Sequence, residues 1–85
     1  MRFMVRFVHR DPGSEEVRSL IPAERERMRE FSAEGTVEAF YLATDGSNGW
    51  IVMKGSRIEQ VEEALMSLPL YSYLDFELTD IQDLP

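Results

Sequence analysis

The sequence predicts an α+β sandwich, a four-stranded antiparallel sheet with two helices on one face. Three observations lead there. Apolar residues alternate with polar ones in separate short runs, the period of a half-buried strand, while two other runs carry apolar residues at helical spacing. Glycine, proline and serine punctuate the joins between them.

The first run, MRFMVRFVH (1–9), places Phe3, Val5, Phe7 and His9 on one face of a strand and Arg2, Met4, Arg6 and Val8 on the other. DPGS then supplies a turn, and Ser14 caps a short helical segment through Leu20. Proline has no N–H to donate, so Pro22 predicts a break, with a second helical segment opening at Pro22 and ending near Glu34. Gly35 suits the left-handed stop that follows. Residues 36–44, TVEAFYLAT, are rich in β-formers, and DGSNG (45–49) turns the chain into WIVMK (50–54), making a hairpin. In SRIEQVEEALMSL (56–68), Ile58, Val61, Ala64, Leu65 and Leu68 form a helical stripe, with Ser56 as cap and Pro69 as stop. Residues 71–81 alternate again, Leu74, Phe76 and Leu78 facing the helices and Tyr73, Asp75 and Glu77 facing away. The order strand, helix, strand, strand, helix, strand is the ferredoxin-like βαββαβ arrangement.

One domain over residues 1–85 is expected, small enough that burial alone leaves a thin stability margin and a homodimer or higher homo-oligomer becomes the expected state. The second sheet face, with Met4 and Val8 among charges, reads either as a dimer seam or as a solvated surface. The composition is 44% apolar and the net charge is −7. That balance speaks against nucleic acid or an anionic membrane as partner, since both need clustered Lys and Arg. There are no cysteines and one histidine, so thiolate and multi-histidine metal sites are not expected. DGSNG precedes a strand rather than opening a helix, so it does not read as a phosphate cradle, and no cofactor is expected. No apolar run approaches a membrane span and no signal-peptide pattern appears, which makes the cytoplasm the expected location.

Glu24 is the residue that the helical pattern does not explain. At about 100° per residue it falls in line with Ile21, Met28 and Phe31, on the stripe a helix turns inward. A carboxyl there suits proton transfer, because burial raises its basicity; the same position also suits a structural ion pair with Arg27 or another neighbour. His9 ends the apolar face of the first strand, at the end of the fold where the Pro22 segment begins. It reads either as a proton-transfer partner for Glu24 or as a solvated strand-end residue. Phe40, Tyr41, Trp50, Tyr71 and Tyr73 read either as the lining of an apolar pocket with polar tips or as core and interface.

The closing stretch LMSLPLYSYLDFELTDI (65–81) resembles the muconolactone isomerase family: Leu-Pro-Leu, an aromatic, a Tyr, then an apolar residue and Asp in a β pattern. The likeness extends back through AERERMREFSAEGTVEAFYL and covers nearly the whole chain. The resemblance implies a dimeric α/β barrel of ferredoxin-like subunits and a proton shift between two carbons of a small lactone. It carries Glu24 and Arg27 onto a Glu and an Arg of the family helix, Arg6 onto a basic position of the first strand, and Tyr73 and Asp75 onto the closing motif. Ala39, Tyr41 and Leu42 stand where the family has His, Trp and Arg, and Ser47, Asn48 and Gly49 stand where it has Tyr-Ala-Asn.

The expected function is accordingly a cofactor-independent isomerase acting on a small lactone or carbonyl compound. Glu24 and His9 are its candidate catalytic residues, and Arg27, Tyr41, Tyr73 and Phe40 its candidate substrate contacts. A non-catalytic small-molecule-binding or assembly module, and an accessory cyclase or oxygenase of a biosynthetic pathway, are the other readings left open.

Overall fold

Strand β1 (Arg2–His9) carries the apolar alternation of the sequence into the middle of the molecule. The computed structural model describes residues 1–84. After β1 come α1 (Glu15–Glu34), β2 (Val37–Leu42), β3 (Asn48–Lys54), α2 (Ile58–Met66), a 3-10 turn (Tyr71–Tyr73) and β4 (Leu74–Ile81). The strands pair antiparallel in the order β2-β3-β1-β4, the ferredoxin-like arrangement. Phe3, Val5 and Phe7 of β1, Ile51 and Met53 of β3 and Leu74 of β4 pack under Val17, Met28 and Phe31 of α1 and Val61 and Leu65 of α2. Each such side chain contributes about 1.5–3 kcal/mol relative to exposure.

Helix α1 starts where Ser14 accepts a hydrogen bond from the Val17 N–H at 3.1 Å, and it stops at Gly35, whose φ of 84° only glycine adopts freely. It does not break at Pro22, as the sequence predicts, but runs through it as one helix. Pro22 and the residue four before it, Arg18, are both exposed. The carbonyl that loses its partner can therefore hydrate, which lowers the cost of the missing bond. Helix α2 also differs from expectation. Its N-cap is Arg57, and Ser56 instead pairs through its N–H and hydroxyl with the Gln60 side chain.

The largest departure lies after Pro69. The tight succession of Leu68, Pro69 and Leu70 winds the chain into 3-10 bonds, Tyr71 N–H to Leu68 O and Tyr73 N–H to Leu70 O. Residues 71–73 are thus not the first part of β4. Tyr73 is half-buried against the core rather than aligned on the far sheet face. That far face carries Met4, Arg6 and Val8 beside Trp50, Val52, Asp75 and Glu77, with Arg6 directly opposite Glu77 and Val8 opposite Asp75.

Gly49, which the sequence reading places in the turn, is part of β3 and sits opposite Phe7. A Cβ there would overlap the Phe7 ring and lie 2.5 Å from the Tyr41 carbonyl oxygen. The absent side chain lets the Phe7 ring lie across the sheet, where it meets His9 and Phe40 edge-on, each at 5.8 Å between centroids. This aromatic group forms one wall of the site described next.

Candidate active site

Between α1 and the sheet lies a cavity of about 630 Å³. Phe7, Phe40, Leu42, Ile51 and Leu74 line it from the strands, Ile21 and Met28 from α1, and Leu68 and Leu70 from the segment that follows α2. The polar groups in this lining are His9, Glu24, Arg25, Arg29 and Ser32.

Glu24 reaches the cavity because it shares a helical stripe with Ile21 and Met28. Its Oε1 accepts a hydrogen bond from the Leu70 N–H at 3.0 Å, and it forms no ion pair among the described residues. Burial pushes its pKa above the ordinary carboxylate value, and the Leu70 N–H, which favours the charged form, offsets part of that rise. The arrangement holds one carboxylate oxygen in place and leaves the other without a partner among the described residues.

His9 lines the same cavity. Its Nδ1 is sealed from solvent and has no hydrogen-bond partner among the described residues. Burial holds its pKa below the ordinary imidazole value, so the ring is neutral at pH 7. An orphaned buried N–H costs more than an orphaned lone pair, so the neutral ring carries its proton on Nε2.

The structure thus brings together Glu24, His9 and Phe40. It places the other sequence candidates elsewhere. Arg27 lies on the α2 side of α1, where its Nε and Nη2 donate to Ser67 Oγ at 3.1 Å, its Nη1 donates to Glu30, and its guanidinium stacks 4.2 Å from the Phe31 ring. It does not pair with Glu24 among the described residues, although i and i+3 are neighbours on a helix, because Ser67, Glu30 and the Phe31 ring hold its guanidinium. Tyr41 is largely exposed and follows Phe40 in β2, so the pleat sends it to the opposite face. Tyr73 is held in the 3-10 turn and does not line the cavity.

Sequence reasoning passed over Arg25, Arg29, Ser32 and the Leu70 N–H. The first three were legible as polar neighbours of the Ile21–Met28 stripe at helical spacing. The last is a backbone group, which side-chain patterns do not reveal.

The profile of the muconolactone delta-isomerase family matches residues 1–85. The chain belongs to this family. Among solved structures, muconolactone isomerase superposes with a TM-score of 0.84 at 24% identity, covering 100% of this chain and 92% of that one. The 5-chloro-2-hydroxyhydroquinone dehydrochlorinase of Burkholderia phenoliruptrix AC1100, in complex with 2,5-dihydroxybenzoquinone, superposes with a TM-score of 0.77 at 14% identity, covering 96% and 94%. No match was found among curated proteins. At these identities the two structures establish the shared fold of the family's α+β subunit. Among the described residues no helix is long and apolar enough to cross a membrane.

Proposed function

We propose that this chain is an isomerase that moves a proton between two carbons of a lactone or other enolisable carbonyl compound, with Glu24 as the proton carrier and no cofactor. The observation that carries the reading is the Glu24 carboxyl itself, set in a mainly apolar cavity with one oxygen fixed by Leu70 and no ion pair among the described residues. A carboxylate so placed is a stronger base than one in water, and it is suited both to take a proton from carbon and to return it.

In the proposed reaction the free oxygen of Glu24 removes a proton from a carbon next to the substrate's conjugated carbonyl. The C–H electron pair moves into the π system and leaves negative charge on the carbonyl oxygen. Glu24, now protonated, delivers the proton to a different carbon of the same system, and the carbonyl re-forms. Nothing is oxidised or reduced. The enolate oxygen requires a donor, and neutral His9 supplies one through Nε2–H without first losing charge. Membership of a family named for a lactone isomerase supports this reading. So does the likeness to a second enzyme solved with a cyclic dicarbonyl ligand.

The same proposal includes a cytoplasmic homodimer joined through the sheet face that carries Met4, Trp50 and Val52, the face opposite the helices. The test is turnover of butenolides and conjugated enones followed by exchange of the migrating proton with solvent deuterium. Wild type should isomerise at least one of them, and Glu24→Gln should lower the rate by about 10²–10⁴-fold with the fold intact. An active Glu24→Gln protein would refute the assignment.

A further inference from the structure

The polar groups of the cavity differ in charge from the molecule around them. The chain as a whole is acidic, yet Arg25 and Arg29 both line this cavity, and Arg18 precedes Arg25 by two helical turns on the same line of α1. Arg25 forms no ion pair among the described residues. Arg29 lies 3.4 Å from Glu26, with both side chains about two-thirds exposed, and a pair that wet is readily exchanged for a better partner. Two guanidinium groups one helical turn apart are therefore available to a ligand. Their planar donor forks match a carboxylate.

The rest of the lining is apolar and extensive. A volume of about 630 Å³ lies within the range of roughly 300–1,000 Å³ in which proteins enclose drug-sized molecules. A single five-membered ring would leave much of the surface formed by Phe7, Ile21, Met28, Phe40, Leu42 and Leu68 in contact with water. Glu24 repels a second anion, so a charged substrate can seat its carboxylate only toward the arginines and its neutral carbonyl toward Glu24 and His9.

Resting on the reading of this cavity as a substrate site, we infer that its ligand is an amphipathic organic acid: a fused-ring or comparably broad apolar body whose carboxylate docks on Arg25 and Arg29. The charge fixes which end enters, and the apolar body supplies most of the contact. The substrate class is thus a bulky hydrophobic acid rather than a compact lactone.

Calorimetric titration of the full chain with three probes tests this. 2-Naphthoic acid has both features, 2-naphthamide lacks the charge, and 2-furoic acid lacks the breadth. Naphthoate should bind about tenfold more tightly than naphthamide and about tenfold more tightly than furoate. The first of these differences should shrink as salt is raised, because the arginines are exposed. Arg25→Ala/Arg29→Ala should bring naphthoate to the level of naphthamide and leave naphthamide unchanged; both residues are on the surface, so the fold persists. Amide shifts on binding should cluster at Glu24, Met28 and Phe40. Equal affinity for acid and amide overturns the inference, as does furoate matching naphthoate, or shifts centred on Trp50 and Val52. Naphthoate binding to Glu24→Gln should be at least as tight as to wild type, so a failed catalytic assignment and a failed ligand class give different results.

Discussion

The side chain of Glu24 and the backbone of Leu70, 46 residues apart in sequence, meet in a 3.0 Å hydrogen bond. That bond joins α1 to the segment leading into β4, and it makes the interior carboxyl a group held by an amide rather than by an opposite charge.

Because the folded pKa of Glu24 is raised, the folded state binds more protons than the unfolded state just above the ordinary carboxylate value. Its favourable contribution is full below that value and is lost as pH rises through the folded pKa. Glu24→Gln keeps the acceptor for the Leu70 N–H and removes the buried charge. Its melting temperature should therefore equal or exceed that of wild type at pH 7, with the difference closing as pH falls toward 4. A variant clearly less stable than wild type at pH 7 would point to a cation partner that this structure does not contain.

His9 acts in the opposite sense. Burial lowers its folded pKa, so the unfolded state binds more protons below about 6.5. Stability associated with neutral His9 is present above that pH and is lost as pH falls toward the folded pKa. The stability of wild type relative to His9→Phe, measured by urea unfolding at each pH, should fall between pH 7 and 5.

Arg27→Ala should leave any catalytic rate within a factor of about two while lowering stability by about 1–2 kcal/mol, through loss of its bonds to Ser67 and its stacking on Phe31. A large fall in turnover with unchanged stability would return Arg27 to the site.

Gly49→Ala should destabilise by about 1–3 kcal/mol or more, since the new methyl group would meet the Phe7 ring and the backbone of β2 at once. Denaturant midpoints measure it, and the Phe7–His9–Phe40 wall should be disturbed in the same variant, seen as broadened aromatic resonances.

The strands, both helices and the sheet order follow from periodicity, because each element buries one face and the pattern of that face is written in consecutive residues. Pro22 misled the reading since the cost of proline depends on whether the abandoned carbonyl can reach water, which the sequence does not state. Tyr71–Tyr73 alternate like a strand, yet the Leu68 and Leu70 carbonyls capture their amides first. Within the site, Glu24 stood out as a polar residue on an apolar stripe, and His9 and Phe40 fell on strand faces that meet it. Arg27 reads as a substrate contact in the sequence, yet the arginines that line the cavity are Arg25 and Arg29; at about 100° per residue, two positions either way point to a different side of α1 from Arg27, which is turned toward Ser67.

The two outer strands of the sheet are poor templates for further strands. β4 presents Asp75, Glu77 and Asp80 along its length, and β2 carries an irregular register between Val37 and Ala39. Two β4 edges brought together would set carboxylates against carboxylates, and the irregularity interrupts the hydrogen-bonding row that β2 offers. Growth of the sheet from molecule to molecule is thereby discouraged at both margins. Even when crowded, the chain should resist forming fibrils.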